Sequence, residues 1–130
     1  MERLIIRGLR ENTVNGHVAR LASAIGWLAS LGGGTVLFET KTDCEGSIED
    51  LADYQSADQK SILSSLDGGG IKLRWATGGI PSRGNVVAAF TSPATIRRLE
   101  SKDLDALLAI EWVPGELDGW AKSHDVCEAN

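Results

Sequence analysis

The chain has 130 residues, 42% of them hydrophobic and 24% charged, and a formal net charge of −5. That length predicts one domain, residues 1–130, with a core large enough to need no staples. The acidic balance argues against broad nucleic-acid binding, which needs a basic surface, and against docking on anionic membranes, and no window approaches the roughly 20 apolar residues of a membrane span.

Residues 4–7 read as a first strand. Glu11, Asn12 and Thr13 offer helix caps. Val14, Val18, Leu21, Ile25 and Leu28 then recur at spacings of three and four, one face of an amphipathic helix. Gly32, Gly33 and Gly34 stop it, because glycine tolerates the left-handed turn after a helix. Residues 35–40, rich in β-branched and aromatic types, form a second strand. Residues 43–46 read as a polar loop, followed by helices over 48–54 and 57–66, the second started by a Ser56/Gln59 capping box. Gly68, Gly69 and Gly70 end that helix.

Residues 71–76 alternate apolar and polar side chains, which predicts a strand with one wet face at the sheet edge. The eight residues 77–84 are too few for a helical crossover, so the strands they join are expected to be antiparallel. Two unbroken apolar runs follow, 85–90 and 106–112. Each leads through a Pro into a helix, over 94–101 and 117–123. A strand apolar on both faces must be covered on both faces. The expected fold is therefore a single three-layer α/β domain, a mixed, mostly parallel five-stranded sheet with helices on both faces. Residues 123–130 read as a loose tail.

The glycine clusters lie between a helix and the next strand, whereas a phosphate loop needs the order strand, glycines, helix. No Walker or dinucleotide fingerprint is present, and no cofactor is implied. Cys44 and Cys127 are isolated rather than paired in C-x-x-C form, so no zinc site is expected. Three apolar residues near the start are too few for a secretory core, and a cytoplasmic setting with reduced thiols is the expectation. His17 reads as a solvated residue at a helix start.

In an open parallel sheet a ligand sits beyond the carboxyl ends of the strands. That rim is expected to gather Glu39, Thr40, Lys41, Thr91, Ser92, Glu111 and Trp112. Thr40, Thr91, Ser92, Glu111 and Trp112 are the candidate ligand-binding residues, with Trp112 at a strand end where pockets form. Glu39 and Lys41, two residues apart on one strand face, are the candidates for catalysis. The string Val36-Leu37-Phe38-Glu39-Thr40-Lys41-Thr42 resembles the acid-x-Lys motif of restriction-endonuclease-like nucleases. Tyr54-Gln55 and Asp58-Gln59-Lys60 resemble the Gln-bearing helix after it. The resemblance implies a metal-dependent attack on phosphodiesters, but that family carries a further acid on the preceding strand, and residues 31–35 hold none.

Two functional expectations result. The first is a non-catalytic binding or protein-interaction module, taking a small-molecule ligand, a protein partner or a second copy of itself. The alternative is a small metal-dependent hydrolase using Glu39 and Lys41.

Overall fold

A computed structural model describes residues 1–9 and 13–129. The cap candidates Glu11 and Asn12, the side chain of Val14 and the terminal Asn130 lie outside the described residues. Six strands form one sheet: β1 (Glu2–Ile6), β2 (Gly34–Phe38), β3 (Ile71–Trp75), β4 (Arg83–Ala89), β5 (Asp103–Ile110) and β6 (Cys127–Glu128). Their order is β3-β2-β4-β5-β1-β6 and every pairing is parallel. The helices are α1 (Val14–Ser30), α2 (Lys41–Tyr54), α3 (Gln59–Gly68), α4 (Pro93–Glu100) and α5 (Asp118–Ser123). The chain is thus a single α/β domain.

The alternation of side chains along each strand divides the core in two. Val87, Ala89, Leu108 and Ile110 meet Leu21 and Leu28 of α1 and Ile48 and Leu51 of α2 on one face. Val86, Ala88, Leu107 and Ala109 meet Ile96 and Leu99 of α4 and Trp120 of α5 on the other. The unbroken apolar runs of β4 and β5 therefore carry two cores at once, and these strands, with β2, lie inside the sheet. β3 lies at an edge, as its alternation predicts, with Lys72 and Arg74 exposed.

Four local expectations need correction. β3 and β4 are parallel neighbours of β2, not antiparallel partners. The connection between them is a 3-10 turn, Ala76–Gly78, and an extended segment in which Ile80 packs on the α4–α5 face. Seven residues suffice because an extended chain advances about 3.3 Å per residue, so no helix is needed to return along a strand of similar length. The polar stretch 43–46 lies inside α2, which Thr40 starts by accepting the Asp43 amide at 3.1 Å. α3 is capped by Asp58, which accepts the Ser61 amide at 2.7 Å, and not by Ser56. Ser56 instead holds the left-handed position (φ 52°) after α2, where Ala57 N–H reaches the Ala52 carbonyl, closing the helix as glycine usually does. Finally, the segment read as a loose tail contributes β6, which pairs with Leu4 and Ile5 and makes the sheet six-stranded.

The glycine clusters do end α1 and α3, with Gly32 and Gly70 left-handed. They also touch. Gly34 N–H donates to the Gly70 carbonyl at 3.1 Å, and a Cβ on Gly33 would stand 2.5 Å from that oxygen.

Candidate functional site

All six strands point the same way, so their carboxyl ends share one rim. From β2 the chain leaves along the α2–α3 face toward β3; from β4 it leaves along the α4 face toward β5. Departures in opposite directions from neighbouring strands open a crevice between them, the switch point at which parallel sheets hold ligands. A cavity of about 490 Å³ lies there, lined by residues that include Phe38 and Glu39 at the end of β2, Phe90 to Ser92 after β4, and Trp112 after β5. α2 supplies Asp43, Gly46, Ser47 and Asp50, the i, i+3, i+4, i+7 stripe of one helix face. Gly46 leaves the wall open, since a Cβ there meets nothing within 4 Å.

Glu39 joins β2 to α4. Its Oε1 accepts the Ser92 amide at 2.7 Å and its Oε2 accepts the Thr95 hydroxyl at 2.7 Å. Burial pushes this carboxyl up, but the Ser92 amide, the Thr95 and Ser92 hydroxyls and the Arg98 charge outweigh burial and hold it below the ordinary carboxylate value. A carboxylate at a helix start is also favoured by the helix dipole. Ser92 caps α4 through the Thr95 amide at 3.2 Å, and Pro93 occupies the first turn, where its missing N–H costs nothing.

Glu111 is completely buried. It accepts the Gly8 amide at 2.9 Å, the Leu117 amide at 3.1 Å and the Arg7 guanidinium at 3.4 Å, tying the ends of β1 and β5 to the loop before α5. Arg20 fastens α1 to the same place by donating to the Arg7 and Glu111 carbonyls, both at 2.9 Å, and to His17 Nδ1 at 2.6 Å. Since arginine is always a donor, that His17 nitrogen is an acceptor and the ring is neutral. Burial, then the Arg20 charge, lowers the His17 pKa. The imidazole stacks on Trp112, with centroids 4.2 Å apart and planes 7° apart, and meets the Phe90 ring edge-on at 5.2 Å. Phe90 itself has φ 57°, a strained conformation for an aromatic residue. His17 is thus part of an aromatic wall and not a solvated helix end.

Of the residues expected at the rim, Glu39, Thr91, Ser92 and Trp112 line the cavity, while Thr40, Lys41 and Glu111 do not. Thr40 is the cap of α2, and Glu111 is enclosed by its amide partners. Glu39 and Lys41 do not share a strand face, because β2 ends at Phe38 and Lys41 begins α2. The Lys41 side chain is 66% exposed and stands 3.8 Å from Glu45. Among the described residues no group of three or more His, Cys, Asp or Glu side chains is placed to hold a metal ion. Cys44 is buried and Cys127 exposed, both as free thiols. No described helix is long and apolar enough to cross a membrane.

Sequence reasoning missed Phe90, His17, Asp43, Asp50 and Glu116. The α2 pair was readable only once residues 43–46 were known to be helical. No family model, no curated protein and no solved structure matches this chain.

Proposed function

We propose that the protein is a non-catalytic module that binds a small molecule in the cavity between the ends of β2 and β4. One observation carries this reading: a concave space of about 490 Å³, walled by Phe38, Phe90 and Trp112, lies at the switch point of the sheet. Cavities of this size, mostly apolar with a few convergent polar groups, are the usual form of small-ligand sites. The side chains with the most chemical potential at this rim have structural duties. Glu39 anchors α4, and Glu111 closes the loop before α5.

The test is a fragment screen followed by backbone amide shifts. Fragments with an aromatic or branched apolar body are expected to shift the amides of residues 89–92 and 112 and to change tryptophan emission. Gly46→Leu fills the open part of the wall. It is expected to abolish those shifts while leaving the melting temperature equal or higher, since leucine is the better helix former by about 0.5–1 kcal/mol. Fragments that bind elsewhere, or that bind Gly46→Leu as well as the parent, would refute the proposal.

A further inference from the structure

We infer that the ligand of this cavity is an organic ammonium ion, a protonated amine carried on an apolar body; the inference rests on the cavity being the binding site. Four lining side chains are carboxylates, Glu39, Asp43, Asp50 and Glu116, and among the described residues that line the cavity none is Lys, Arg or His. Negative charge around a concave wall focuses a field that concentrates cations.

The carboxylates do not stand in an apolar hole of the wrong chemistry. Phe90 and Trp112 line the same space, and aromatic rings attract an ammonium group through their quadrupoles; the Arg20 guanidinium already lies 5.6 Å from the Phe90 centroid. Trp112 is held in place by the stacked His17 ring and by Phe90, whose centroid lies 5.4 Å away. Thr91 also lines the cavity. It is 2% exposed, and its hydroxyl has no hydrogen-bond partner among the described residues. A buried polar atom left unpaired is costly, and an ammonium N–H is one partner from which this hydroxyl oxygen can accept.

Two other ligand classes fit less well. The starts of α2 and α4 meet at the cavity, and helix starts attract anions. Here the capping positions are already filled: the Asp43 amide is taken by Thr40 Oγ1, the Thr95 amide by Ser92 Oγ and the Ser92 amide by Glu39. Glu39 and Asp43 place negative charge where an anion would lie. A metal ion needs several converging ligands, and the described residues present no group of three.

The experiment compares three probes of one shape and different charge: 3-phenylpropylamine, 3-phenylpropanol and 3-phenylpropionate, read by tryptophan emission and by amide shifts of residues 89–92. The amine is expected to bind at least about tenfold more tightly than the alcohol, and the propionate more weakly than the alcohol. Raising salt should weaken the amine and leave the alcohol unchanged. In the Asp43→Asn/Asp50→Asn double variant, amine affinity should fall most of the way toward that of the alcohol. Glu116→Gln is the second variant. It keeps an oxygen for the Trp112 amide, which Glu116 accepts at 3.0 Å, so it removes charge without removing the contact, and it should lower amine affinity about two- to fivefold. Equal binding of all three probes, or preference for the propionate, overturns the ammonium inference and leaves the cavity reading standing. If none of the three perturbs the rim, both fall.

Discussion

His17 shows how one side chain can couple the site to acidity. Its ring is neutral because Arg20 donates to Nδ1, and its pKa in the folded chain is depressed by burial and by that guanidinium. A depressed folded value means that the unfolded chain takes up the proton first. The stability contributed by neutral His17 is therefore complete above about pH 6.5, the ordinary histidine value, and is lost as pH falls from there toward the depressed folded value. A second loss, from Glu39 and from Glu100, whose carboxylate accepts from the Arg3 guanidinium at 2.8 Å, belongs below the ordinary carboxylate range, since both are held low in the fold. Urea titrations from pH 8 to pH 5 are expected to show a falling midpoint for the parent. The His17→Gln variant should give a nearly flat profile over that window. An equal slope in both proteins would remove His17 as the cause.

At the scale of elements, Glu39 links a strand to a helix through Ser92, 53 residues away in sequence. The acid-x-Lys string makes this residue look like half of a reactive pair. The fold uses it as a cap for α4 and sends Lys41 outward, where an exposed pair with Glu45 contributes well under 1 kcal/mol. Glu39→Ala should therefore cost about 1–2 kcal/mol by leaving the Ser92 amide and Thr95 hydroxyl without their acceptor. Lys41→Ala should change stability by less than about 0.5 kcal/mol. Chemical denaturation of both variants measures the difference, and equal effects would contradict the assignment. The sequence made the position of Glu39 legible but not its partner, because Ser92 and Thr95 are brought to it only by the sheet order. The start of α2 is hard to read from sequence for a related reason. Its first turns, with Thr42, Asp43, Cys44 and Gly46, have weak helix propensity, and Thr40 capping together with burial of Cys44 and Ile48 decides the matter.

For the whole molecule, the centre of the sheet was readable because β4 and β5 must satisfy two cores, and only a covered parallel sheet accepts such runs. Strand direction at the edge was not. It depends on an extended segment crossing the α4–α5 face, and sequence spacing alone does not distinguish that crossing from a reversal. The same crossing leaves the sheet unequally covered. β3 has α2 and α3 on one side, whereas on the other its Lys72 and Arg74 are exposed; β2 is covered there, with Leu37 fully buried among the residues of the α4 cluster. Local stability follows the number of buried apolar neighbours and the protection of backbone hydrogen bonds. Amide exchange is therefore expected to be fastest in β3 and slowest in β4 and β5, by at least about tenfold. Uniform protection across these strands would show that the thin cover has no energetic effect.

That thin cover has a further consequence on heating. When β3 detaches, the backbone donors and acceptors of Gly34–Phe38 that had paired with it are bared along an apolar strand, the kind of template on which chains stack into aggregates. Clouding of a warmed solution would then begin at β2 while the opposite half of the molecule still held its shape.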